Sequence, residues 1–136
     1  MKKVKHEAKT HTQVMRWLKY NLDKFPPSFL IETKVVRPGQ KNFLYSELSE
    51  KERRLLKQAK DRFILATNSD YDRLGTICDG YCLRGGGFVF LHWCEPKNKD
   101  IYVLDINVLL GEIEAGKKSL TKDRAQVLAA VVGELK

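Results

Sequence analysis

The spacing of apolar residues changes character repeatedly along this chain. From His6 to Phe25, Val14, Trp17, Leu18, Leu22 and Phe25 recur at three- and four-residue steps, which predicts an amphipathic helix that Pro26 and Pro27 stop. Phe29 to Val36 then alternates and is rich in β-branched residues, predicting a strand closed by the turn residues Pro38 and Gly39. "SELSEKERRLLKQAKDRF" predicts a second helix. Its start is a capping box of Ser49 and Glu52, and Leu55, Leu56 and Ala59 are expected to face the core.

"FILAT" and "GTICDGYCL" read as strands on either side of the turn "NSDYD", with the glycines of "RGGG" forming a hairpin. "FVFLHWC" and "IYVLDI" read as an antiparallel pair, because only "EPKNKD" joins them. The tail from Thr121 to Leu135 reads as a closing helix, with Leu128, Val131, Val132 and Leu135 in helical register. This order predicts an α/β domain, a mixed central sheet of about five strands with helices on its faces. The 136 residues suit a single domain spanning 1–136.

Composition narrows the class of partner. The formal net charge is +8, from 25 Lys and Arg against 17 Asp and Glu, so a basic surface would concentrate phosphate-bearing ligands, with nucleic acid the leading candidate. No apolar run approaches the roughly 18 residues of a membrane span, and the basic "MKKVKHEAKTHT" leads into no apolar signal segment; a cytoplasmic location is expected. Cys78, Cys82 and Cys94 are odd in number and lie in apolar strand-like runs, which argues against a disulfide framework. His6, His11 and His92 lack zinc-ligand spacing, and His92 between Leu91 and Trp93 reads as a packed strand residue.

Two positions carry candidate chemistry. Strand alternation puts Leu30, Glu32, Lys34 and Val36 on one face, Ile31, Thr33 and Val35 on the other. A carboxylate and an ammonium side by side are either a solvated ion-paired face or part of a site. Asp79 in "TICDGYC" sits in an otherwise apolar strand-like run, where burial demands a compensating partner. A sheet-rim position with water or an arginine would supply one; a divalent cation shared with Glu32 would supply another, and such oxygen ligands suit magnesium or manganese. In the second case Lys34 would stabilise the charge developing on a phosphodiester.

"SFLIETKVV" resembles the E-x-K strand of the PD-(D/E)XK nuclease superfamily. "HEAKTHTQVMRWLKYN", "LYSELSEKERRLLKQAK" and "SDYDRLGTICDGYCL" resemble the remaining segments of its Holliday junction resolvase-like branch, across nearly the whole chain. The resemblance implies a restriction-endonuclease-like fold and a magnesium-dependent endodeoxyribonuclease, with manganese able to substitute. Glu32 and Asp79 become metal ligands, Lys34 the catalytic lysine, and Glu7 on the first helix a further acidic contributor. It also implies a homodimer acting on branched DNA, and a glutamine where this chain has Glu52. Asp70 and Asp72 are fallback ligands that a turn explains equally well. Arg37, Lys41, Ser46, Lys51, Arg53, Arg54 and Arg84 are the candidate DNA contacts, expected to bind phosphates without reading bases. The competing reading is a non-catalytic nucleic-acid-binding module with a basic surface.

Overall fold

The computed structural model describes residues 5–26, 29–61, 63–65, 82–84 and 86–135. In chain order these form α1 (Lys5–Lys19), β1 (Phe29–Val36), β2 (Phe43–Leu44), α2 (Glu50–Asp61), β3 (Phe63–Leu65) and β4 (Cys82–Arg84). They continue as β5 (Gly86–Trp93), β6 (Asp100–Asp105), α3 (Ile106–Glu114), β7 (Ser119–Leu120), α4 (Lys122–Leu128) and β8 (Val131–Glu134). The architecture is the expected α/β class. Its mixed sheet has four described strands in the order β1-β5-β6-β8; β2 pairs with β7, and β3 with β4, in separate ladders.

β5 organises the molecule. It runs parallel to β1 and antiparallel to β6, and all eight of its residues are buried. Because strand side chains alternate, Phe88 and Phe90 point to one face, where Val14, Leu18 and Phe25 meet them, while Val89, Leu91 and Trp93 point to the other. There they join Leu56 of α2 and Ile106 and Leu109 of α3. The sheet is thus covered on both sides, which explains why β5 reads as an uninterrupted apolar run. Trp93 also anchors the loop after β1, donating from Nε1 to the Lys41 carbonyl at 2.9 Å.

Local chemistry sets the helix ends. α1 stops at Lys19, before the prolines, because the Asn21 amide donates to the Trp17 carbonyl at 2.7 Å and satisfies the last turn. A short 3-10 turn, Leu22–Lys24, continues the path to Phe25. The capping box of α2 is formed as expected: Ser49 N donates to Glu52 Oε1 at 2.8 Å, and Glu52 N to Ser49 Oγ at 3.1 Å. Leu56 is buried beneath α2, but Leu55 is 43% exposed and does not face the core.

The tail corrects the sequence reading. α4 ends at Leu128, and Val131–Glu134 pairs antiparallel with β6 instead of extending the helix. Val131, Gly133 and Leu135 also alternate, and the β-branched pair with a glycine favours strand over helix once β6 offers an open edge. Of the glycines expected in a hairpin, Gly86 and Gly87 instead open β5, opposite Phe29 and Leu30, while Gly85 lies outside the described residues. Gly87 has a packing reason: a Cβ there would run into the Leu56 backbone, so its bareness lets α2 lie close to the sheet. α3 was not foreseen, although Asp105 caps it by accepting from Asn107 N at 2.9 Å. Among the described residues no helix is long and apolar enough to cross a membrane.

Candidate functional site

Among the described strands β1 lies at the edge of the mixed sheet, with α1 on one face and α2 on the other. Thr33 points toward α1, where its hydroxyl meets His11 Nδ1 at 2.8 Å. Glu32 and Lys34 therefore project to the α2 side, in register with Val89 and Leu91. Lys34 Nζ lies 2.8 Å from Glu52 Oε2, with the two side chains 13% and 22% exposed. A pair this sheltered is far less screened than a surface ion pair.

Glu52 does two things with one carboxylate. Oε1 closes the start of α2 and Oε2 holds the Lys34 ammonium. Burial works against the charge on Glu52, but the hydrogen bonds from Lys34 and Ser49 outweigh it and hold the carboxyl below its ordinary value. The result is a lysine fixed in direction, on the strand face that also carries the half-buried Glu32. Glu52 occupies the position where the nuclease resemblance places a glutamine. The sequence assigned it only a capping role, since no local pattern announces a contact between positions 34 and 52.

The other expected site residues divide. Glu7 lies one turn before His11 on α1, the layer on the opposite face of β1 from Lys34. Asp79 lies outside the described residues, as do Asp70, Asp72 and Cys78. Among the described residues no group of three or more His, Cys, Asp and Glu side chains is gathered to hold a metal ion. Glu32 is a carboxylate, the ligand type that hard cations such as magnesium take.

The basic positions are mostly available to a partner. Arg37, Lys41, Ser46, Lys51 and Arg54 are exposed. Arg53 is engaged in structure, its Nη2 donating to the Tyr45 carbonyl at 2.7 Å, while its buried Nε meets no partner among the described residues. Arg84 falls in β4. His92 is the packed strand residue expected, 8% exposed with Nδ1 on the Asp100 carbonyl at 2.8 Å. Cys94 is a free thiol that burial pushes above its ordinary pKa, against the opposing charge of Lys9.

In comparisons with protein-family models, with curated proteins and with solved structures, the chain matches none.

Proposed function

We propose that this protein is a magnesium-dependent endodeoxyribonuclease acting as a homodimer on branched or otherwise structured DNA. The observation that carries the reading is the Lys34–Glu52 clamp beside Glu32: an ordinary solvated strand pair would not need a sheltered partner from another element to aim its lysine. In this account Glu32 and Asp79 would hold the cation, with Glu7 a further acidic contributor. When bound, such a cation would supply Lewis-acid polarisation of a phosphodiester, and manganese would substitute for magnesium. Lys34, held in place by Glu52, stabilises the negative charge that grows on the phosphoryl oxygens. Arg37, Lys41, Ser46, Lys51 and Arg54 bind backbone phosphates, with Arg84 a further contact and Arg53 holding the loop before α2.

One observation favours the rival reading, a non-catalytic nucleic-acid-binding module: Glu52 already neutralises Lys34, as a purely structural pair would. Cleavage assays separate the two. Labelled four-way-junction and linear duplex DNA are incubated with the protein and magnesium, manganese or chelator. Metal-dependent incision with junction preference is expected. Salt-sensitive binding without incision under every condition would leave the binding module.

A further inference from the structure

On the α1 face of the sheet, away from Lys34, a cleft of about 400 Å³ opens between α1 and the turn joining β5 to β6. That volume falls in the range of small-ligand sites. Its position has a topological reason. β1 and β5 run parallel, and the cleft lies just beyond the carboxyl ends of both, reached by Pro38 after β1 and Cys94 after β5. In open α/β sheets such ends are where ligands bind.

The lining discriminates between ligand types. His92 is more than nine-tenths buried and lines the cleft. The Asp100 carbonyl can only accept, so His92 Nδ1 carries a proton and donates to it, which leaves Nε2 as the ring nitrogen a ligand can meet. Lys9 and Lys99 line the same space, and the Lys9 charge is close enough to act on the Cys94 thiol. Glu95 is the carboxylate on this rim, and its Oε2 is held at 3.0 Å by Lys122. The balance favours an anion over a metal cation. An imidazole and a thiol alone make a poor metal site beside two lysines, and no third ligand joins them among the described residues.

We infer that this cleft binds a small phosphate monoester of mononucleotide size, its phosphate between Lys9, Lys99 and His92 and its apolar part against Pro38, Pro96 and Leu135. Charge and size select the monoester. Its second ionisation lies near about pH 6, so at neutral pH it brings close to two negative charges to Lys9 and Lys99, whereas a diester brings one. A cleft of about 400 Å³ also suits one nucleotide better than a dinucleotide. This inference is independent of the nuclease reading, because the cleft and Lys34 lie on opposite faces of the sheet.

Cys94 provides the reporter. Its alkylation by iodoacetamide is followed by peptide mass spectrometry in the presence of dAMP, deoxyadenosine, a deoxyadenosine dinucleotide with an internal phosphodiester, or zinc chloride. The expected result is alkylation slowed about tenfold when dAMP stands at ten times its Kd, with no effect of deoxyadenosine or the dinucleotide. Movement of the His92 imidazole resonances on addition of dAMP is a second readout, and the Lys9→Ala, Lys99→Ala variant should lose both effects with its circular dichroism unchanged. Neither readout responding to dAMP would overturn the inference. So would equal protection by deoxyadenosine or the dinucleotide, protection by zinc alone, or protection that survives in the lysine variant.

Discussion

A single carboxylate links helix capping to the candidate chemistry, so Glu52 is where residue-level tests have most force. Glu52→Ala removes the cap and the lysine's partner together and is expected to cost about 1–2 kcal/mol in urea unfolding. Glu52→Gln keeps a capping acceptor while discharging the Lys34 pair. Because the folded-state pKa of Glu52 is depressed, its contribution is fully present above the unfolded value near about 4.3 and is lost as pH falls through the lower folded value. The stability advantage of the wild type over Glu52→Gln should therefore be present at neutral pH and shrink below about pH 4.3; a difference constant with pH would contradict it.

Tyr45 is the opposite case. Burial, reinforced by Glu112 and opposed by Arg124, pushes its phenol up to about 12. Stability from the protonated phenol is present below the unfolded value near about 10 and is lost as pH rises through the folded one. Its hydroxyl is buried without a partner among the described residues. Tyr45→Phe is expected to be neutral or stabilising at neutral pH and to abolish this alkaline loss, as urea midpoints across the alkaline range would report. At this scale the alternation of β1 revealed that Glu32 and Lys34 share a face, and the capping box was plain in Ser49 and Glu52. What local pattern could not show was that Glu52 also reaches back to Lys34, a contact created only when α2 packs across the strand.

At the scale of elements, close approach of α2 to β5 depends on a missing side chain. A Cβ on Gly87 would collide with the Leu56 carbonyl and lie 2.9 Å from Leu56 Cα, so backbone would have to move. At Gly133 the obstacle is the Trp17 ring, a side chain rather than backbone. Gly87→Ala is expected to cost about 3 kcal/mol in urea unfolding, more than Gly133→Ala, and the reverse order would contradict this packing account. The elements most legible in sequence were those with one unmistakable period, such as β1 and the buried run of β5. The tail was ambiguous because Val131 to Leu135 satisfies both periods, and the choice was made by the edge of β6, a partner remote in sequence. α3 escaped because its cap, Asp105, directly ends a strand, and no turn residues separate the two elements.

For the whole molecule, the α/β class followed from the order of elements, whereas the pairing of β1 with β5 across the intervening chain did not. Charge acts at this scale too. With a net charge of +8 and exposed Arg37, Lys41, Lys51 and Arg54, DNA affinity is expected to fall steeply with salt. Replacing Lys51 and Arg54 by alanine should reduce the slope of log K against log salt by about two units for duplex DNA, measured by fluorescence anisotropy. An unchanged slope would remove that face of α2 from the interface. The central claim is that the Glu32 face of β1 performs hydrolysis, and the most direct measurement is single-turnover cleavage of a labelled four-way junction, with magnesium, by the wild type and by a Glu32→Ala, Lys34→Ala variant of matching circular dichroism and DNA affinity. The account predicts incision by the wild type and none by the variant; a variant that cuts as fast as the wild type, or a wild type that binds the junction and never cuts it, would contradict it.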